Sequence, residues 1–341
     1  MKSISYCPIC SSNNSRILWT ASCSEQASHF LSPLEDRRKY QILKEHIKYL
    51  QKTPYINLKK CFECGFIYSF PYVGGDKKFY DLIFSNKNKY PQERWEFGKS
   101  IEIINNAGYQ NPRILEIGSG DGAFIRKIIK NKLTLKKYVT SIEYSNYGKS
   151  KIDDLGIKCL SIDIKNDKNK LPYKKYDYIC LFQVLEHLDS VNELINILKE
   201  LLTNRGEILI AVPNEKIIDF NEMNGALLDM PPNHIGRWSR SSFIKICEIN
   251  ELNLIENSVE PFKLKNFLLM FFSYRFLKMS QNNNSIAAFV KYKLNKRLSW
   301  IFTRILIIFD FITSPLILIN IFIFGANLGG ETQLSRINKI D

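Results

Sequence analysis

Acidic residues are scarce in this chain, and one long stretch has none. Lysine and arginine number 48 against 34 aspartates and glutamates, which gives a formal net charge of +14. Residues 261–309 contain no acidic residue but nine basic ones. Such an excess predicts attraction to polyanions, namely nucleic acid, anionic lipid or phosphorylated substrates, without choosing among them.

Two features of secreted proteins are also missing: an apolar segment near the N-terminus and a cysteine pattern typical of disulfides. The first ten residues hold no apolar run, so no secretory signal is expected there. The eight cysteines include two CxxC pairs, which fit a reducing compartment better than a disulfide framework. A cytoplasmic protein is expected. Histidine is rare as well, and four residues of this type leave few imidazoles for acid–base chemistry.

A glycine-rich turn stands out in the middle third of the chain. The short apolar run 114–117 predicts a buried strand, and a helix is expected from residue 123. Between them lie Gly118, Gly120 and Gly122. Glycines are required where the chain turns sharply or a ligand approaches the backbone closely, so the segment predicts a nucleotide-binding turn. The spacing differs from the dinucleotide fingerprint, whose third glycine follows the second by three residues.

Strands and helices alternate after this turn. Apolar runs end at Glu143 and at Asp163, and two more are expected at 176–182 and 206–213. Helical stretches separate them. This alternation predicts an α/β fold with a parallel sheet that binds ligands at the carboxyl ends of its strands.

The run from Glu116 to Gly122 resembles motif I of the class I S-adenosylmethionine (SAM) methyltransferases, and the later strands follow in that family's order. The resemblance implies a Rossmann-like sheet with SAM as cofactor. It implies that Glu143 accepts hydrogen bonds from the ribose hydroxyls and that Asp163 lies near the adenine ring. The residues expected to bind SAM are Glu116, Gly118, Ser119, Gly120, Gly122, Glu143, Tyr144, Asp163, Ile164 and Gln183.

Two cysteine pairs predict a structural zinc site. Cys7 and Cys10 form one CxxC knuckle, and Cys61 and Cys64 form the other. Four thiolates complete a tetrahedral zinc shell and leave no coordination position for substrate. The alternative is four unrelated thiols, because the gap of about 50 residues between the pairs is longer than in a compact zinc ribbon.

Composition shifts divide the chain into four predicted regions. A breaker cluster at 71–75 ends the first, whose charged residues 35–52 predict a helix. The second is expected to be helical over 80–107. The predicted regions are a zinc-binding module (1–72), a helical connector (73–111), a SAM-binding domain (112–260) and a basic, apolar, helical extension (261–341).

Residues 305–324 are nearly continuous hydrophobes, long enough for a bilayer crossing. Asp310, Asn320 and the Ser314–Pro315 step argue against a crossing, since a carboxylate near the membrane centre costs about 2.5–3.5 kcal/mol. Two amphipathic pieces lying in the interface of an anionic membrane fit better, which would place the protein at the inner face of the cytoplasmic membrane. A buried helical cap or a dimer interface stays an alternative.

Methyl transfer to a weakly acidic nucleophile needs a general base. His187 follows the fourth strand of the sheet, and His234 lies in a loop after the fifth, so each is a candidate base. For each, a purely structural role is the alternative. Glu186 and Tyr80 are weaker catalytic candidates. His29 and His46 are expected at the surface.

The zinc module, the Glu186–His187 pair and the loop 231–238 together resemble bacterial sugar C-methyltransferases and relatives from polysaccharide and natural-product clusters. The resemblance assigns the family's tyrosine to Tyr80 and its two histidines to His187 and His234. Asn233 stands where those enzymes have glutamate, which makes proton abstraction from carbon doubtful. The leading hypothesis is methylation of a nucleotide sugar or lipid-linked saccharide. Alternatives are a methyltransferase acting on oxygen of another small molecule or lipid, an RNA methyltransferase, and a non-catalytic SAM-binding scaffold.

Overall fold

The computed structural model describes residues 6–83 and 90–340, in which the strands form two sheets. The strands are β1 (Ser15–Ser22), β2 (Tyr55–Cys61), β3 (Ile67–Phe70), β4 (Ile114–Ile117), β5 (Val139–Ile142), β6 (Lys158–Leu160), β7 (Tyr176–Phe182), β8 (Leu202–Pro213), β9 (Gly236–Arg237), β10 (Leu252–Val259) and β11 (Thr332–Lys339).

The larger sheet has seven strands in the order β10-β11-β8-β7-β4-β5-β6. Strands β6, β5, β4, β7 and β8 run parallel, and β11 is antiparallel to both of its neighbours. The strand order reverses beside β4, where a doubly wound sheet opens a crevice for ligands at its carboxyl ends. The predicted α/β, Rossmann-like sheet is thus confirmed.

Helices cover both faces of this sheet and continue into two peripheral groups. They are α1 (Cys23–Phe30), α2 (Arg37–Gln51), α3 (Lys77–Ile83), α4 (Trp95–Asn106), α5 (Ala123–Lys130), α6 (Asn146–Asp153), α7 (Ile164–Asp167), α8 (Val191–Leu201), α9 (Glu215–Met223), α10 (Arg240–Ile249), α11 (Leu264–Ser280), α12 (Ile286–Tyr292), α13 (Lys296–Thr313) and α14 (Pro315–Leu328). Helix α5 illustrates why these segments pack on the sheet as helices. Its apolar residues Phe124, Ile125 and Ile128 lie on one side and are buried against the sheet, and its lysines face outward.

The N-terminal module is joined to the rest of the protein through its own sheet, in the order β1-β2-β3-β9. The last strand, β9, comes from the loop that carries His234, and it pairs Arg237 with Ile67 and Gly236 with Tyr68. Helix α2 confirms the helix predicted at 35–52. The module therefore supports the loop directly.

The C-terminal region differs from the single extension predicted at 261–341. Helices α11 to α14 form an insertion, after which β11 returns to the main sheet between β8 and β10. The sheet domain thus does not end at residue 260. Strand β11 has only two inward apolar residues, Leu334 and Ile337, which is too weak a pattern to place it from sequence.

The apolar run at 305–324 is split between α13 and α14. Within the described residues, no single helix is long and apolar enough to cross a membrane. Helix α13 and the first part of α14 pass that test together, by length and composition, but they meet at a bend of 78°.

Candidate active site

The glycine-rich turn packs tightly at the carboxyl end of β4. Gly118 and Gly120 have φ angles of +73° and +54°, in the left-handed region that side chains disfavour. A Cβ on Gly118 would lie 2.5 Å from Val184 Cγ2, and one on Gly120 would lie 2.8 Å from the ring of Tyr90. The Gly118 N–H donates to the Ile142 carbonyl at 2.8 Å, which ties the turn to β5.

Two carboxylates flank this turn. Glu143 Oε2 accepts from the Gly120 N–H and its Oε1 from the Ser145 N–H, both at 2.8 Å. Glu116 is buried, and burial followed by the charge of Glu143 raises its pKa. In the described part of the chain, Glu116 Oε2 has no hydrogen-bond partner. A buried carboxylate oxygen left open beside a close-packed glycine turn fits a cationic, hydroxyl-bearing ligand such as SAM.

The other predicted SAM-binding residues lie at the same edge of the sheet. Ser119 Oγ donates to the Glu116 carbonyl at 3.1 Å, and Tyr144 Oη donates to that of Ile162 at 2.8 Å. Asp163 caps α7 and Ile164 is buried behind it. The remaining member, Gln183, follows β7 with a φ of +57° and donates its backbone N–H to the Ala211 carbonyl. All ten predicted residues therefore surround the carboxyl ends of β4 to β7. Tyr90, over Gly120, was missed.

His187 and His234 also come together. Their ring centroids are 4.8 Å apart. His187 Nδ1 lies 2.7 Å from the Asn233 carbonyl oxygen, which can only accept, so Nδ1 carries the proton and Nε2 is the acceptor. Burial, followed by the charge of His234, lowers the pKa of His187 to about 3. His187 is thus a neutral imidazole.

His234 is held in the opposite state. Its Nδ1 lies 2.6 Å from Asp229 Oδ1. Burial opposes a charge on His234, but the charge and hydrogen bond of Asp229 outweigh it and raise the pKa of His234 to about 8. The same pairing lowers the pKa of Asp229 to about 2 against the effect of burial. Asn233 lacks a carboxylate, as the sequence indicates, but Asp229 supplies one to the loop histidine.

Glu186 completes the histidine cluster. Its side chain is 1% exposed, and burial raises its pKa to about 7. Oε1 lies 4.0 Å from His187 Nε2, and neither carboxylate oxygen is hydrogen-bonded to any residue within 6–83 and 90–340. Such a carboxyl group titrates near neutral pH and is suited to proton transfer.

The ligand atoms of these three side chains lie within 4.8 Å of one another, a spacing that also admits a metal ion. Asp229 engages Nδ1 of His234 and leaves Nε2 free, an arrangement that suits either a metal ligand or a proton donor. Tyr80 adjoins the cluster, with Oη 3.3 Å from His187 Nδ1, and burial raises the pKa of its phenol.

Arg237 anchors the loop that carries His234. Its guanidinium donates to both oxygens of Glu222 at 2.9 and 2.6 Å and to the Asp229 carbonyl at 3.2 Å. Trp19, on β1, donates its Nε1–H to Glu222 at 3.1 Å. The side chain of Arg237 is 2% exposed. This buried network fixes Asp229, and Asp229 orients His234.

Two predictions about the remaining histidines were wrong. His46 is buried and lies 2.7 Å from Asp76 Oδ1. His29 is partly buried, and burial lowers its pKa to about 4. Asp229 opposes that shift, and the charges of Lys278 and Lys291 reinforce it. Both histidines lie on helices of the N-terminal insertion, which fold inward against the catalytic domain.

The four CxxC cysteines meet as predicted from their spacing. Sγ atoms of Cys7 and Cys64, and of Cys10 and Cys61, are 3.6 Å apart, and all four lie within 4.8 Å of one another. A tetrahedral zinc ion with Zn–S bonds of about 2.3 Å requires S···S edges of about 3.8 Å. The cluster could therefore hold one zinc ion. Asn192 on α8 donates to the carbonyls of Pro8 and Ile9, which fastens the first knuckle to the catalytic domain.

Comparison with known proteins agrees with this geometry. Residues 88–257 match the family model described as a methyltransferase domain. The malonyl-[acyl-carrier protein] O-methyltransferase 1 of Ilyobacter polytropus is 27% identical over 183 residues, which are 52% of this chain and 66% of that protein. The chain thus spans just under two thirds of the length of that curated relative.

Solved structures with a similar fold include two methyltransferases. A SAM-dependent methyltransferase from Archaeoglobus fulgidus is 15% identical, with a TM-score of 0.42, over 72% of this chain and 94% of that one. Coclaurine N-methyltransferase, bound to N-methylheliamine and S-adenosylhomocysteine, is 14% identical, with a TM-score of 0.42, over 74% of each chain.

Proposed function

Residues 88–257 are a SAM-dependent methyltransferase domain, and on that premise we propose that the enzyme methylates a weakly acidic group of a saccharide, carried as a nucleotide sugar or linked to a lipid. The observation that carries the proposal is the pairing of a neutral His187 with a cationic His234. An acceptor that is already ionised needs no base. A hydroxyl, or a carbon beside a carbonyl, needs one.

His187 and Glu186 act together as the base. Glu116, Glu143 and the glycine turn would hold SAM, which would supply an electrophilic methyl group. The acceptor's proton would pass to His187 Nε2, the unprotonated ring nitrogen. Glu186, whose Oε1 lies 4.0 Å from Nε2, would stabilise the resulting imidazolium, and burial raises the pKa of Glu186 itself to about 7.

His234 has the complementary role. As a cation whose Nδ1–H is engaged by Asp229, it presents its Nε2–H to the acceptor. Negative charge that develops on the acceptor oxygen, or on an adjacent carbonyl, would be stabilised by this donor. One imidazole thus removes a proton and the other stabilises the charge left behind.

Positive charge near the histidines supports a phosphorylated substrate. Lys278 on α11 and Lys291 on α12 act electrostatically on His29, which in turn is influenced by Asp229 and His234. We propose that these basic side chains lie on the acceptor side of the site. Nucleotide sugars and lipid-linked glycans carry diphosphates that such lysines would attract. Synthesis of envelope polysaccharide or a natural product is the proposed setting.

Zinc has a structural role in this proposal. The four thiolates close the coordination shell, and the second knuckle packs on the start of α10, where a Cβ on Gly65 would lie 2.6 Å from Ser241 Oγ. Because β3 of the module pairs with β9, the metal would stabilise the loop of His234 without contacting substrate.

A second candidate comes from the relative in Ilyobacter polytropus, whose name describes O-methylation of a malonyl group on acyl-carrier protein. Transfer to a carboxylate would need His187 and Glu186 only for positioning, because a carboxylate is already a nucleophile. A saccharide acceptor requires a base and so explains why the pKa values of His187 and Glu186 are shifted, whereas a carboxylate acceptor does not explain it.

Mass spectrometry on a panel of acceptors tests the proposal. The purified enzyme is incubated with SAM and nucleotide sugars, lipid-linked glycans or malonyl-acyl-carrier protein, and each product is examined for one added methyl group. We expect methylation of a saccharide acceptor that is lost in His187→Asn. Methylation of the malonyl carrier alone, unchanged in His187→Asn, would reject the proposal.

A further inference from the structure

Helices α13 and α14 expose an apolar surface that the catalytic domain does not cover. No residue of α13 is buried. Side chains that would normally lie in a core are largely open, including Ile312 at 68%, Leu316 at 75% and Phe322 at 84%. Folded monomers rarely leave so many large apolar side chains exposed on two consecutive helices without a use for them. We call this patch the hairpin face and define it by Trp300, Ile305, Phe309, Ile312, Leu316 and Phe322.

Basic residues border the hairpin face just before α13 and along its first half. Lys293, Lys296, Arg297 and Arg304 are all exposed there, and the guanidinium of Arg304 lies 3.3 Å from the ring centre of Trp300. An indole capped by a cation is suited to the boundary between headgroups and acyl chains. The apolar centre of the hairpin face is suited to the acyl chains of an anionic bilayer, and its basic margin is suited to the negatively charged headgroups.

The one acidic residue in α13 is neutralised inside the protein. Asp310 accepts two hydrogen bonds from Arg275 on α11, at 2.8 and 3.0 Å. Its side chain is 13% exposed, so it lies away from the hairpin face. The carboxylate that argued against a bilayer crossing at the level of sequence is therefore paired inside the protein and does not oppose contact of the hairpin face with a membrane.

A groove beside the hairpin face has a matching character. It encloses about 390 Å³ between α11 and α13 and is lined by Leu264, Leu268, Leu269, Phe272, Ile307 and Phe311. Lys265 stands at its edge. An unbranched hydrocarbon chain fits such a lining, whereas a polar segment would leave its hydrogen bonds unmade.

We propose that the hairpin face lies on the surface of an anionic phospholipid bilayer, with α13 and α14 in the headgroup–acyl boundary and neither helix crossing it. The 78° bend at Ser314 lets the two helices follow one plane and does not need a continuous span. Arg275 also donates to the Asn224 carbonyl, between α9 and the loop of His234, so the same insertion links the bilayer surface to the active site.

Vesicle flotation of the full-length protein tests the proposal without any knowledge of the acceptor. The probes are vesicles of phosphatidylglycerol and phosphatidylcholine, and vesicles of phosphatidylcholine alone. We expect flotation with the anionic vesicles and at least about tenfold less with the neutral ones, because each basic residue near the surface contributes about fivefold. Phe309→Ser combined with Ile312→Ser should lower flotation at least about tenfold.

Two controls separate binding from misfolding and self-association. Ile42→Ser combined with Tyr49→Ser removes exposed apolar side chains from α2 and should leave flotation unchanged. Thermal stabilisation by S-adenosylhomocysteine should be equal in all variants, because none touches that pocket. Flotation that is absent, or unaffected by the hairpin substitutions, overturns the proposal. So does a stable dimer in light scattering that those substitutions dissociate while no vesicle is bound.

Discussion

Asp229 Oδ1 lies 2.6 Å from Nδ1 of His234, and this contact separates the chemical roles of two neighbouring imidazoles. The charge of Asp229 holds a proton on His234, and the resulting cation helps to keep His187 neutral. Without Asp229, burial would lower the pKa of His234 as it lowers that of His187, whose ring centre is 4.8 Å away. In the proposed mechanism, a base and a cationic donor are thus obtained from one residue type.

Glu186→Gln should abolish the neutral-pH base while preserving the fold. We expect kcat to fall about a hundred- to ten-thousandfold, the usual contribution of a positioned base, with affinity for S-adenosylhomocysteine unchanged. Burial raises the pKa of Glu186 to about 7, so wild-type activity should rise as pH increases through 7. That limb of the kcat/KM profile should vanish in the variant. An unaltered profile contradicts this role, and exposed Glu248→Gln is the matched control.

Glu143→Gln tests the cofactor pocket. The side chain accepts two backbone N–H bonds at 2.8 Å, and its remaining lone pairs would meet the ribose hydroxyls. Loss of a charged acceptor costs about 1.5–3 kcal/mol, so affinity for S-adenosylhomocysteine should drop about ten- to a hundredfold in calorimetry. Glu251→Gln, on the exposed surface, should bind normally. Equal affinity in both variants would place the cofactor elsewhere.

Arg237→Ala should destabilise the loop that carries His234. Glu222, Asp229 and Asp219 all lie within 4 Å of this buried guanidinium. Breaking a buried charged network usually costs about 3–5 kcal/mol, which thermal or urea unfolding will detect. Arg240→Ala, three residues away and exposed, should change the free energy of unfolding by less than about 0.5 kcal/mol. Similar stabilities for the two variants would show that the network is dispensable.

Cys64→Ser should remove zinc and loosen the active-site loop as well as the module. Elemental analysis should find one zinc per wild-type chain and none in the variant, because three thiolates no longer close the shell. Since β3 pairs with β9, hydrogen exchange should also quicken around Gly236 and Arg237. Cys23→Ala, outside the cluster, should keep its metal. Two zinc ions per chain, or none, would contradict the assignment.

Local patterns were enough to predict which side chains meet at the carboxyl ends of the strands and which four cysteines cluster. Gly118 to Gly122 form a contiguous turn, and Glu143, Asp163 and Gln183 each follow a strand whose position the parallel sheet dictates. Cys7 and Cys61 belong to separate CxxC pairs, but we could predict that the pairs meet because four thiolates are needed to complete one zinc shell.

Contacts within irregular loops and between distant segments could not be predicted from the sequence. Asp229 precedes His234 by five residues in an irregular loop, where no periodicity indicates which side chains meet. His29 approaches the site only because α1 folds against the catalytic domain. Strand β11 lies within the sheet because it pairs with both β8 and β10. Its own apolar content is too low to predict this position from the sequence.

A histidine-selective nuclear magnetic resonance titration tests the central claim directly, since the chain has only four imidazoles and no acceptor is needed. We expect His234 to titrate with a pKa of about 8 and His187 to stay neutral, protonated on Nδ1, throughout the neutral range. In Asp229→Asn the pKa of His234 should fall below its ordinary value. If both imidazoles titrate near 6.5, or if Asp229→Asn leaves His234 unchanged, the division of roles between the two histidines is wrong.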